Sequence, residues 1–168
     1  KAIEETEHKF GKYLYKIAFN ILSDRYDSEE SVNDTYMKAW NTIPPNKPTV
    51  LSVYLSRLTR SISIDVFRKK SAAKRKGSQY ALSVHELGDC IADKKDIAED
   101  LEVKALAKAI SDFLRTLPED SRRLFIGRYY FMESLKDAAK YCKMSESKAK
   151  SRLFRIRCSL KDYLVKEG

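Results

Sequence analysis

A chain of 168 residues, 43% hydrophobic and 34% charged with five glycines and four prolines, suits one ordinary domain or two small ones, soluble and helical. No run approaches the roughly 18 apolar residues that span a bilayer, and the first residues lack the blocks of a signal peptide, so a cytoplasmic protein without membrane insertion is expected. The formal net charge of +9 is uneven, at +3 over residues 1–70, −1 over 71–100 and +7 over 101–168. That asymmetry points either to a polyanionic partner gripped by the C-terminal third or to a basic surface that is only solvated.

Residues 5–70 read as three helices. Phe10, Leu14, Ile17 and Ile21 recur at helical spacing and predict a helix up to about Ser23. Asp27 with Glu30 looks like a capping box opening a second helix, whose expected apolar face is Val32, Tyr36, Ala39, Trp40 and Ile43. Tyr36 and Trp40 stand four residues apart and are taken as core. Pro44, Pro45 and Pro48 then force an extended loop. A third helix follows, with Leu51, Tyr54, Leu55, Leu58 and Ile62 on one side and Arg57, Arg60 and Arg68 between them.

Residues 71–100 show no sustained apolar period. They follow a basic run with an acidic one, Glu86, Asp89, Asp93, Asp96, Glu99 and Asp100, and are expected to be a linker. Leu101, Leu106, Ile110, Phe113 and Leu117 predict a helix ending before Pro118, which suits the first position of the next helix, carrying Leu124, Phe125 and Tyr129. Two shorter helices follow, separated near Lys143–Ser145. Ser134 is placed to cap the first of them and Ser145 the second, with Lys148 three residues on.

Two capped helices joined by so short a turn form the helix-turn-helix pattern. At 100° per residue, Ala149, Leu153, Ile156 and Leu160 share the face expected to be buried. Ser147, Ser151, Phe154 and Arg155 lie opposite, flanked by Lys148, Lys150 and Arg152. A phenyl ring can contact a thymine methyl, an arginine can donate twice to a guanine edge, and lysines suit phosphates. The alternative is an ordinary helical hairpin with solvated charges. A second constellation, Arg57, Arg60, Ser61, Asp65 and Arg68 with Phe67, mixes bases with an aromatic in a way that suits single-stranded nucleic acid. Phosphate loop, nucleophile elbow and metal triad are all missing, so no catalytic role, cofactor or metal is expected. Cys90, Cys142 and Cys158 lack metal-ligand spacing and are expected as free thiols.

These stretches resemble a known family. Asp27-Ser-Glu-Glu-Ser-Val-Asn-Asp-Thr-Tyr-Met-Lys-Ala-Trp40 is similar to the sigma-two motif D-A-E-D-L-V-Q-E-T-F-L-R-A-W, and Tyr54–Arg68 to W-L-x-x-I-A-R-N-x-x-I-D-x-x-R. Leu117-Pro118 with Arg122-Arg123 resembles the L-P-x-x-x-R opening of the sigma-four domain, and Ser145–Arg157 resembles S-x-x-T-V-K-S-R-L-x-R-A-R. The chain thus looks like a bacterial RNA polymerase sigma factor of the extracytoplasmic-function type. The resemblance implies an all-α protein of two small helical domains, a three- to four-helix sigma-two bundle at 1–70 and a sigma-four helix-turn-helix domain at 101–168, joined by a linker at 71–100. It implies binding to core RNA polymerase through Glu30, Asn33, Asp34 and Met37. It implies recognition and melting of the minus-ten element through Arg57, Arg60, Ser61, Asp65 and Arg68, with a flipped base held by the Pro44–Val50 loop. It implies reading of the minus-thirty-five element of promoter DNA by Lys148, Lys150, Ser151, Arg152, Phe154 and Arg155. The acidic stretch 86–100 would thread the polymerase interior, and an anti-sigma factor is an implied partner. The chain departs from the pattern at Ser61 (usually Asn), Lys143 (usually Gly), Ala149 (Val) and Asn33-Asp34 (Gln-Glu).

Two other roles fit parts of the chain, a free-standing helix-turn-helix regulator and a basic RNA-binding adaptor, and an enzyme stands last. The acidic helix at 27–40 disfavours the first, since a repressor has no need of a polymerase-facing surface.

Overall fold

The computed structural model describes residues 2–70, 78–91 and 100–167, and these residues form helices joined by turns and loops, with no strand among them. The helices are α1 (Ala2–Leu22), α2 (Arg25–Thr42), α3 (Leu51–Lys69), α4 (Gln79–Ile91), α5 (Asp100–Thr116), α6 (Glu119–Tyr129), α7 (Leu135–Tyr141) and α8 (Glu146–Glu167). The chain divides into two compact units between Leu82 and Ser83. The fold is all-α.

In the first unit α1, α2 and α3 pack on one another pairwise. Leu14, Ala18, Val32, Tyr36, Ala39 and Leu55 are buried together, with Phe10, Tyr54 and Leu58 against them. A two-residue link joins α1 to α2. Ser23 takes a left-handed backbone (φ 52°), and Asp24 then caps α2 by accepting from the Asp27 amide at 2.9 Å. The cap is therefore Asp24 and not Asp27. So tight a reversal starts the helix three residues earlier than expected, and Asp27 is left to pair with Lys70 just past the end of α3.

The α2–α3 seam is built from hydroxyls. Ser28, Ser31 and Thr35 are buried on α2, and Ser56, Thr59 and Ser63 on α3. Short side chains let two helices approach closely, and a buried hydroxyl can return its proton to the carbonyl one turn back. Thr35 lies 2.7 Å from the Ser31 carbonyl, Thr59 3.0 Å from that of Leu55, and the two threonine oxygens are 3.0 Å apart. Each hydroxyl has one proton, so one threonine donates to the other and the other to its own helix.

This seam also corrects the expected apolar faces. On α2 the buried stripe is Ser28, Ser31, Val32, Thr35, Tyr36 and Ala39, which turns Trp40 out to 61% exposure. On α3 it runs through Leu55, Ser56, Thr59, Ser63, Ile64 and Phe67, leaving Leu51 exposed. Phe67 also meets Tyr80 edge-on, with centroids 4.8 Å apart.

In the second unit Phe113, Leu124, Phe125, Tyr129, Ala138, Ala139, Ala149, Leu153, Ile156, Leu160 and Leu164 form an apolar core. Helix α8 packs on α5, α6 and α7. Pro118 is the residue before α6, not its first, with an extended backbone (φ −52°, ψ 149°) that lets its carbonyl accept from the Arg122 amide. Leu87, from the segment expected to be a linker, packs against this core, and residues 79–91 of that segment are helical. The basic run Lys74-Arg75-Lys76 and the acids Asp93, Asp96 and Glu99 lie outside the described residues, as do the side chains of Asp89, Cys90, Asp100 and Leu101.

Candidate nucleic-acid interface

The α7–α8 pair is set by three local devices. Ser134 caps α7 by accepting from the Asp137 amide at 3.1 Å, and Ser145 caps α8 by accepting from the Lys148 amide at 3.2 Å. Between them the chain closes α7 with the amide of Met144 on the Ala139 carbonyl and that of Lys143 on the Lys140 carbonyl. This paired pattern requires a left-handed residue after the cap, and Lys143 supplies it at φ 53°. A lysine there costs roughly 1–2 kcal/mol that a glycine would avoid. Met144 packs on the core, so the turn is anchored from below.

Helix α8 buries Ala149, Leu153, Ile156 and Leu160, the face anticipated from the sequence. Lys148, Lys150, Ser151, Phe154 and Arg155 are exposed and Arg152 is half-buried. Phe154 is 60% exposed, and the residues one turn away on its helix, Lys150, Ser151, Arg157 and Cys158, include no aliphatic side chain to cover it. On this face the ring stands among basic side chains, where it can meet a thymine methyl.

Arg157, on the same helix, turns the other way. Its guanidinium donates to the Tyr129 hydroxyl at 2.6 Å and lies 3.5 Å from the Glu86 carboxylate and 5.9 Å from the Phe154 ring centroid. Glu86 also accepts from Tyr129 at 2.8 Å and from Arg128 at 3.0 Å, and Arg128, almost wholly buried, donates to the Glu133 carbonyl at 2.9 Å. Burial alone would raise the Glu86 carboxyl. Hydrogen bonds from Arg128 and Tyr129, with the charges of Arg128 and Arg157, outweigh it and hold the group below its ordinary value. Burial, reinforced by the Glu86 carboxylate, pushes the Tyr129 phenol well above its usual value. Glu86 is thus not a free acid of a linker: two arginines and a tyrosine of the second unit engage it. Sequence reasoning missed this cluster, because nothing in the spacing of residues 86, 128, 129 and 157 reveals that they meet.

In the first unit Arg57, Ser61, Asp65 and Arg68 are exposed along one side of α3 and Arg60 is half-buried at its edge. On α2, Glu30, Asn33, Asp34 and Met37 are exposed on the side away from α1 and α3, and the misassigned Trp40 stands beside them. A hollow of about 480 Å³ opens where α2 ends, walled by Ile3, Tyr36, Trp40, Ile43, Pro44 and Leu51. Burial, with the Glu7 charge second, raises the Tyr36 phenol. Among the described residues no group of His, Cys, Asp and Glu is placed to hold a metal ion, and no helix is long and apolar enough to cross a membrane. Cys142 and Cys158 are free thiols, and burial together with Asp120 raises that of Cys142.

Comparison with known proteins places this geometry. Residues 8–73 match the family model for sigma-70 region 2, and residues 107–160 match that for sigma-70 region 4. The chain is 24% identical over 161 residues to the ECF RNA polymerase sigma factor SigM of Bacillus subtilis (strain 168), covering 95% of this chain and 93% of that protein. It is 22% identical over 150 residues to a Xanthomonas campestris pv. campestris protein described as a probable RNA polymerase sigma factor, RfaY, covering 89% of this chain and 37% of that one. With region 2 matched across the hydroxyl-seamed unit and region 4 across the helix-turn-helix unit, the chain belongs to the sigma-70 family, as a transcription initiation factor of the extracytoplasmic-function type.

Proposed function

We propose that this chain docks on core RNA polymerase and directs it to promoters by reading the minus-thirty-five element with its second unit and by recognising and melting the minus-ten element with its first. The observation that carries this is α8 itself, whose apolar face is fully packed while Phe154 and Arg155 stand in solvent among Lys148, Lys150 and Ser151. A helix so presented fits the major groove, with its N-terminal amides available to phosphate. The exposed face of α2, acidic at Glu30 and Asp34 and apolar at Met37, serves as the polymerase contact, and Asn33 lies within it. The basic side of α3, Arg57, Arg60, Ser61, Asp65 and Arg68, follows the separated strand, and the hollow beside Pro44 offers an apolar and aromatic lining for an extruded base. Residues 71–100 run between promoter-binding modules 1–70 and 101–168, with Glu86 and Leu87 of that stretch packed into the second, and an anti-sigma factor is the regulatory partner of the complex.

The test is transcription in vitro by core polymerase with this chain on a promoter library. Selective enrichment of two spaced elements is expected, whereas failure to bind core polymerase would leave a free-standing DNA-binding protein. Within the enriched set, Arg155→Ala costs about 1–3 kcal/mol at a single base position, and Lys150→Ala lowers the salt slope of binding by about one unit. A uniform loss for Arg155→Ala would instead make that residue a phosphate contact.

A further inference from the structure

We propose that Glu86, Tyr129 and Arg157 fix the rotation of the reading helix, and that Arg157, although carried on that helix, supports the Phe154 ring and does not touch DNA. The face by which α8 is held is aliphatic, through Ala149, Leu153, Ile156, Leu160 and Leu164. Apolar burial is non-directional and by itself sets the helix's azimuth loosely. Arg157 adds directional contacts to this stretch of α8: it donates to Tyr129 at 2.6 Å and lies 3.5 Å from Glu86. Glu86 is in turn held by the buried Arg128 at 3.0 Å. A planar guanidinium tied on one edge presents a fixed surface to its neighbour, and the neighbour here is Phe154, 5.9 Å from it. The Arg157 side chain is 18% exposed with a carboxylate beside it, so its charge is already answered inside the protein and is not offered to a phosphate.

The inference rests on the proposed base-reading role of Phe154, and its test separates the two. Holoenzyme is assembled from core polymerase and the full chain, and the minus-thirty-five preference is read by sequencing promoters selected from a library randomised there. Phe154→Ala identifies the base position that this ring reads. Arg157→Lys keeps the charge but loses the fork, and Tyr129→Phe keeps the ring, which packs 4.7 Å from Phe125, but loses the hydroxyl. Both are expected to relax preference at that one position by about three- to tenfold, with preference elsewhere and the salt slope of binding unchanged. Thermal melting of each variant is followed alongside. A loss of about one unit of salt slope with preference intact makes Arg157 a phosphate contact and overturns the proposal. An equal loss on every sequence, tracking a lower melting temperature, assigns the cluster to stability alone and also overturns it. If Phe154→Ala changes no position, the base-reading role fails and the proposal falls with it. If Phe154→Ala relaxes one position while Arg157→Lys and Tyr129→Phe relax none, only the positioning role fails.

Discussion

The two units solve the problem of a small interior in opposite ways. The first closes α2 on α3 with serines and threonines, of which Ser28, Thr35, Ser56 and Thr59 lie within hydrogen-bond reach of a carbonyl about one turn back, and Thr35 and Thr59 also meet across the seam. The second closes its helices with leucines and phenylalanines and gathers its buried and half-buried charges Glu86, Arg128 and Arg157 in one cluster with Tyr129. Hydroxyls that satisfy themselves locally ask little of their neighbours. A buried arginine does not, since its partner lies 42 residues away in sequence and removing it strands a charge. The first interior is therefore expected to tolerate single substitutions, and the second to concentrate its sensitivity at a few residues.

The sharpest way to break that contrast is Glu86→Ala. An orphaned buried charge costs about 3–5 kcal/mol, and the partial exposure of Glu86 reduces this to about 2–4 kcal/mol, measured by urea unfolding of the second unit's transition. The same group makes the effect depend on acid. Because the carboxyl is held below its ordinary 4.5 in the folded protein, its contribution is present above that value and is lost as pH falls through the lowered native one. The gap in stability between the parent chain and Glu86→Gln should narrow as acid is added below about pH 4.5. A gap that widens, or stays constant to pH 3, would show that the carboxylate charge is not what holds Arg128.

Thr59→Val tests the other side. It removes the proton or acceptor shared with Thr35 but keeps the volume, and should cost about 1 kcal/mol. With Thr35→Val added, the second loss should fall well short of the first, since the pair then has no unmet partner. Strict additivity would mean that the seam is held by backbone bonds only. The smallest effect is expected at Lys143. Lys143→Gly removes left-handed strain at the α7–α8 turn but adds freedom to the unfolded chain, for a net gain of about 0.5–1 kcal/mol with promoter preference unchanged.

How far the residues disclosed their own arrangement follows the same divide. The helix-turn-helix was legible because its signals are local: serine caps three residues from their amides, and an aliphatic stripe with period 3.6. The reading face followed from it, with Phe154 exposed and Ala149 buried as their angles require. The first unit was legible as three helices but not in their rotation. Hydropathy gives serine and threonine no inward preference, so the stripe was drawn through Trp40 rather than through Ser28, Ser31 and Thr35. The Asp24 cap was displaced for a related reason, since the left-handed Ser23 that permits so short a link has no marker in composition. Helix α4 and its Glu86 contacts were hidden because the basic run before it and the acids in and after it make the whole segment look like a linker, although residues 79–91 are themselves about half apolar.

The rotation that turned Trp40 outward has a practical side. It is the chain's single tryptophan, it stands mostly in water, and it lines the hollow beside the acidic face of α2. Indole emission shifts to shorter wavelength when water is displaced from the ring, so the protein carries its own optical gauge of occupancy at that spot. Titrating it with single-stranded promoter DNA, which has no indole, reports on the first unit without a dye, a tag or any tryptophan signal from the second.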